Sequence, residues 1–521
     1  MFSCQSRLCR VTVYEKEISM KLFIGVISFL VSLLLSSVHC SLASEETVHQ
    51  ALHSPQTQLC INCHSMYTPG IVHDWMTSRH SKTIPGEAMK KSSLEKRTSA
   101  ESLPQSLQGY AVGCYECHSL NPDIHKDNFK HMGYSINVIV TPNDCKTCHP
   151  IEATQFAGSK KSYAHKNLMG NPVYHALAST ITGIRRFGNN QLLAEKPSEA
   201  TLHETCLGCH GTNVQVRGIK NLSTKLGNLE IPDLTNWPNQ GVGRVNPDGS
   251  TGACSACHPR HSFSIEVARK PSTCSQCHLE PDVPAWNVYR ESKHGNIYSS
   301  KYQEWKFDSV PWVIGKDFKA PTCATCHNSL IVSPGGDLII ERTHDFGSRL
   351  WVRLFGLIYS HPQPKSGDTT IIKNSDGLPL PVTFSGAPAS EYLIDKSEQD
   401  RRLTAMSSIC KNCHGSNWTS GHFVKLDSTI KETNVMTATA TNVMVSAWDK
   451  GIEDKTNPFD ESLEQMWASQ WLFYGNSIRY ASAMTGAPDY ASFKNGWWYL
   501  NKNLQSMQHW MDFKKELKEK D

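Results

Sequence analysis

The apolar positions of this chain fall into three regimes. Leu22 to Leu35 is one short, mostly apolar run, preceded by Lys21 and followed by small residues at Ser41, Ala43 and Ser44. A positive flank, a short apolar stretch and small residues are the pattern of an export signal, cleaved near 40–44. The run is too short to predict a membrane span. Met20 is the expected start, so 1–43 reads as a signal peptide with 1–19 an over-extended beginning. Towards the other end, residues 423–455 and 460–515 carry helical patterning. Met466, Trp467, Trp471, Tyr474 and Ile478 recur at steps of three and four, and Trp510, Phe513 and Leu517 continue the pattern. Between these regimes no long period holds. Thr68-Pro69-Gly70, Asn121-Pro122, Asn171-Pro172 and Asn246-Pro247-Asp248-Gly249 interrupt the chain and predict turns between short helices. One longer loop-like stretch holds Pro362, Pro364, Gly377, Pro379, Pro381, Gly386 and Pro388, and a loop of that length is often functional or at an interface.

Cysteine changes this picture most. Of 19 cysteines, 16 stand in eight copies of Cys-x-x-Cys-His. The copies are Cys60, Cys63, His64; Cys114, Cys117, His118; Cys145, Cys148, His149; and Cys206, Cys209, His210. Then follow Cys254, Cys257, His258; Cys274, Cys277, His278; Cys323, Cys326, His327; and Cys410, Cys413, His414. The other three, Cys4, Cys9 and Cys40, precede the expected cleavage point, so an exported chain has no cysteine left for a structural disulfide. A single Cys-x-x-Cys could hold zinc or cycle as a thiol pair. Eight copies, each followed by histidine, are the attachment signature of c-type haem. Two thioethers tie the porphyrin to one turn of chain, and the adjacent histidine becomes the proximal iron ligand.

The expected fold class is therefore mainly α: a multihaem cytochrome c of short helices and loops wrapping eight haems over 44–422, plus a C-terminal helical region over 423–521. Porphyrins take up space that side chains would otherwise fill, which leaves little room for a large β-sheet.

Two axial histidines close an iron and make it an electron carrier, while an iron without a distal ligand can bind substrate. The chain has 24 histidines, so 16 remain beyond the eight proximal ones. The distal candidates are His80, His131, His165, His203, His261, His294, His344 and His422. Each has the plainer alternative of an ordinary surface histidine, and the sequence does not pair them with irons.

Composition and charge exclude other classes. With 39% apolar and 19% charged residues, the chain is neither disordered nor a multi-span membrane protein. A net charge of +4 with interspersed signs gives no concentrated basic face for nucleic acid. The mature protein should be exported, periplasmic and soluble.

The eight motifs and their surroundings resemble the octahaem hydroxylamine oxidoreductase-like cytochromes. The likeness is clearest over Cys254 to Gly295, with Cys-His-Pro-Arg-His at 257–261, Glu-Pro-Asp at 280–282 and Glu-Ser-Lys-His-Gly at 291–295. Cys-Leu-Gly-Cys-His-Gly at 206–211 is similar to the family's fourth motif. The resemblance implies a homotrimer, seven bis-histidine haems and one open haem on Cys206, Cys209 and His210, acting on hydroxylamine, hydrazine or nitrite. The redox partner would be a cytochrome or a quinone-linked membrane protein. Oxidative members place an Asp-His pair after the sixth motif. Here Asp282 matches the aspartate, but Val283 stands where histidine would. They also cross-link a C-terminal tyrosine to the catalytic haem, for which Tyr490 in Pro-Asp-Tyr is the best match, with a plain packing tyrosine as the alternative. Oxidising hydroxylamine requires a proton acceptor, and valine is not one. The reductive direction, nitrite or hydroxylamine to ammonium, is therefore favoured. Hydroxylamine oxidation with a cross-linked haem, and an electron carrier with every iron closed, are the alternatives.

Overall fold

A computed structural model describes residues 51–520 apart from 225 and 226. The export signal read over 1–43 lies outside the described residues. Among those described, no helix is long and apolar enough to cross a membrane.

From residue 51 to 415 the chain is built from α-helices of 4 to 15 residues separated by irregular chain and small hairpins. Proline and polar caps set many of their starts. Pro55–Tyr67 begins on proline with Ser54 accepting a hydrogen bond from the Thr57 N–H, and Pro172–Thr182 begins on proline with Asn171 capping Val173. Among the described residues, five separate two-stranded antiparallel sheets make up the strands. Two of them are largely exposed: β1 (Ile184–Gly188) with β2 (Gln191–Glu195), and β3 (Gln215–Thr224) with β4 (Gly227–Thr235). Neither was expected from the sequence.

The C-terminal patterning becomes four principal helices. They are α1 (Ser416–Asp449), α2 (Ser462–Ser469), α3 (Gly475–Ala483) and α4 (Trp497–Lys518), with a π-helical turn at Gln470–Tyr474 between α2 and α3. Helix α1 runs unbroken through 422/423, where the sequence suggested a boundary. Its inner face carries Ala440, Met444 and Ala447, which pack with Trp467, Trp471 and Met507 into the largest apolar cluster. The loop-like stretch after the seventh motif enters that same cluster through Leu357, Ile358, Tyr359, Leu380 and Val382. The stretch is irregular, with buried residues alternating with exposed ones such as Ile371. Arg479, fully buried on α3, donates from Nε to Thr433 Oγ1 at 2.9 Å and from Nη2 to Asn434 Oδ1 at 2.7 Å. These bonds tie α3 to α1 and satisfy a charge that is costly to bury unpartnered.

A second polar pin lies near the third motif. His125, 4% exposed, contacts Asp127 Oδ1 at 3.2 Å and Asp144 Oδ1 at 3.1 Å. Burial opposes its charge, but hydrogen bonds to the two carboxylates raise it from 6.5 to about 9. A raised folded value means that this contribution is complete below pH 6.5 and disappears as pH rises through about 9. His125→Gln should flatten the pH dependence of thermal stability within that window, read by melting curves of both proteins at matched haem content.

Candidate functional site

Each motif fits within about one helical turn. Cys114–His118, Cys206–His210 and Cys323–His327 are five-residue helices in their own right. In other motifs the histidine N–H bonds back to the first cysteine carbonyl: His149 to Cys145 at 2.9 Å, His258 to Cys254 at 3.0 Å, His278 to Cys274 at 3.0 Å and His414 to Cys410 at 2.9 Å. One turn therefore presents two thiols and an imidazole together.

The motifs also meet one another. Thiols of different motifs lie side by side in four places: Cys60 with Cys114, Cys145 with Cys254, Cys209 with Cys277, and Cys274 with Cys323. Cys117 and Cys148, Cys257 and Cys274, and Cys326 and Cys410 lie within electrostatic reach. These contacts join all eight motifs. They run from first to second, third, fifth, sixth, seventh and eighth, and the fourth attaches as a branch at the sixth.

A connected cavity of about 1740 Å³ is lined by the histidines of the third to eighth motifs, with mostly apolar walls such as Phe263, Leu350, Trp351 and Phe473. Four proximal histidines face a second imidazole. Ring centres are 6.3 Å apart for His64 and His131, 6.3 Å for His80 and His149, 6.5 Å for His118 and His261, and 6.0 Å for His294 and His414. Two imidazoles bound on opposite sides of one metal, each through a bond of about 2 Å, set their ring centres about 6 Å apart. The Nδ1 atoms are anchored elsewhere: His118 donates to the Asn137 carbonyl at 2.7 Å, His149 to Arg97 at 3.1 Å and His210 to Ala164 at 3.0 Å. Such bonds fix the tautomer that leaves Nε2 free for metal. Spacing, anchored Nδ1 atoms and an apolar cavity all suit iron porphyrins held by the motif cysteines.

The remaining histidines differ in their surroundings. His344, with buried and unpartnered Nδ1, lies in electrostatic reach of His258. His203 keeps Nε2 buried and unpartnered, and His165 donates from Nδ1 to the Gly211 carbonyl at 2.6 Å. His422 is not brought opposite an imidazole. Its Nε2 contacts the Ala483 carbonyl at 3.1 Å, and its ring stacks on Trp418, which in turn stacks on His414. His361, absent from the sequence candidates, is buried with Nδ1 on the Pro362 carbonyl and Nε2 unpartnered.

The fourth motif is clasped on one side. Gly211 adopts φ +91°, and a Cβ there would meet the Arg244 backbone nitrogen at 2.2 Å, so only glycine allows this approach. Among the described residues no imidazole pair involves His210. The charged group in reach of it from the sixth motif's following turn is Asp282, which lines the cavity. Burial pushes the Asp282 carboxyl above the usual range, against hydrogen bonds from its own and the Val283 N–H that pull it down. Tyr490 does not line this cavity. It is buried against Val288 and Ala481, and its hydroxyl donates to Glu280 Oε2 at 3.0 Å. Tyr480 does line the cavity, and burial pushes it up to about 12, with Arg353 and Asp282 acting on it in opposite senses.

The site can now be set beside known proteins. Residues 247–335 match the family model described as seven times multi-haem cytochrome CxxCH, and 144–230 match that of cytochrome c554 and c-prime. A solved hypothetical multiheme protein is 40% identical, with a TM-score of 0.85, covering 92% of this chain and 99% of its own. A reducing HAO-like protein complex of Kuenenia stuttgartiensis shares the fold, at 17% identity and a TM-score of 0.58 over 89% of this chain and 86% of its own. A probable nitrite reductase-hydroxylamine oxidoreductase fusion protein of Kuenenia stuttgartiensis is 27% identical over 285 residues, 51% of this chain. The chain spans only 25% of the length of that curated relative.

Proposed function

We propose that this chain, which belongs to the hydroxylamine oxidoreductase-like multihaem cytochromes, reduces nitrite or hydroxylamine at one open haem fed by seven haems that only carry electrons. Covalently bound c-type haems are its cofactors, and in the proposal they number eight. The observation that carries the reading is the branched order of motif contacts. Seven motifs form a line in which each has a neighbour, while the fourth joins only through the sixth. A line suits conduction, and a side branch suits a reaction centre that electrons reach last.

Within this reading, His131, His261, His80, His344 and His294 close the irons of the first, second, third, fifth and eighth motifs. The haem on Cys206 and Cys209, when bound, supplies an iron with a free coordination position and electrons from its neighbours. His210 would hold that iron, its ring oriented by the Nδ1 bond to the Ala164 carbonyl. Asp282 keeps its proton to higher pH than an exposed carboxylate and can deliver it towards the cavity, as a reduction that consumes protons needs. Val283 adds no base, and Tyr490 is held by Glu280. A soluble, exported protein, a homotrimer by family likeness, would receive its electrons from a partner cytochrome or a quinone-linked membrane protein.

The test is a steady-state assay with reduced viologen and nitrite or hydroxylamine, beside hydroxylamine oxidation with an electron acceptor. Reduction should be the faster direction. Asp282→Asn should lower kcat about a hundredfold, the scale of a general acid's contribution, with the visible spectrum unchanged. Faster oxidation would reverse the direction. A ferrous protein that neither turns over nor binds carbon monoxide would make it an electron carrier.

A further inference from the structure

Three short segments share one pattern: Ser78-Arg79-His80, Ser292-Lys293-His294 and Ser159-Lys160-Lys161. The last residue of the first segment lies opposite His149, and that of the second lies opposite His414. The last residue of the third is a lysine. Its Nζ lies 2.8 Å from Nε2 of His278, the nitrogen that would face the iron of the sixth motif. No other imidazole pairs with the His278 ring among the described residues, and no carboxylate forms an ion pair with Lys161 there. The amine lines the cavity and rests near the Phe346 ring, 6.0 Å from its centre. A part-buried amine whose hydrogen-bond partner is an imidazole, with no carboxylate to offset its charge, is costly to keep as an ammonium.

We propose that Lys161 is the distal axial ligand of the haem on Cys274, Cys277 and His278. The proposal rests on the haem-bearing reading above. An amine nitrogen donates its lone pair to iron as imidazole does, and four rotatable bonds let Nζ withdraw to the spacing that an intervening iron requires. Nε2 of His278, the nitrogen that faces Nζ, then serves as the proximal ligand, as in the other motifs. The sixth haem occupies the branch point of the motif series, next to the fourth. An amine in place of an aromatic ring gives that junction a ligand field unlike its neighbours and a reduction potential of its own.

The test uses matured holoprotein, with ferric electron paramagnetic resonance, near-infrared magnetic circular dichroism and carbon monoxide titration of the ferrous form. Wild-type protein should show one low-spin haem with amine–imidazole ligation. Lys161→Ala should lose that signature and bind one further carbon monoxide per chain. Lys161→His should replace the signature by a bis-imidazole one without added carbon monoxide binding. Intact masses showing equal porphyrin content establish that the variants have matured, and Lys161→His serves alone if Lys161→Ala does not. Unchanged spectra and carbon monoxide stoichiometry in either matured variant overturn the assignment while leaving the haem-bearing reading intact. A wild-type chain without porphyrin would instead remove that reading.

Discussion

Replacing Cys206 and Cys209 together by serine should abolish reduction of nitrite and hydroxylamine while sparing the other haems. Both thioether bonds of the fourth motif disappear, and His210 alone cannot retain the porphyrin. The matured variant should be lighter by one porphyrin and should lose the carbon monoxide-sensitive part of the ferrous Soret band. Because the fourth motif joins the series only through the sixth, the line from first to eighth stays connected. The remaining haems should therefore still accept electrons from dithionite at an unaltered rate. Substrate turnover that persists would move the reaction centre elsewhere.

The second large effect concerns the C-terminal scaffold. Trp471 is fully buried and packs against Phe459 and Trp467, with ring centres 6.4 and 5.7 Å away. Trp471→Ala should destabilise the chain by about 3–5 kcal/mol, the usual cost of emptying a large aromatic site. Denaturant unfolding followed by tryptophan fluorescence measures it. Trp471 itself does not line the cavity, although Leu472 and Phe473 beside it do, so the visible spectrum of the folded variant should stay close to that of the wild type. A loss below about 1 kcal/mol would mean that the neighbouring chain closes over the gap.

Much of the molecule was readable before any coordinates because its chemistry is local. Two thiols and an imidazole within one turn need no tertiary information, and α1 to α4 follow a period that survives in the sequence. His80, His131, His261 and His294 were candidates, but their partners were not readable. His131 and His64 are 67 residues apart, and His118 and His261 are 143 apart. Such pairings are set by the fold as a whole. Lys161 is not legible by residue type, since a lysine in a sequence is most often a surface charge, although its segment repeats the pattern around His80 and His294. His361 was missed because it stands among prolines in a stretch that reads as loop. That stretch lacks a period since it wraps irregularly over the core, burying Leu357, Ile358 and Leu380. Tyr490 was singled out by local context, yet it stands outside the cavity, whose lining includes Tyr174, Tyr289 and Tyr480.

The central claim is that each Cys-x-x-Cys-His element carries its own covalently bound porphyrin. The intact mass of the matured chain, taken with its visible spectrum, addresses it most directly. The account predicts a red protein with eight covalent porphyrin additions that survive denaturation. A colourless chain, or a mass with fewer than eight, would contradict it.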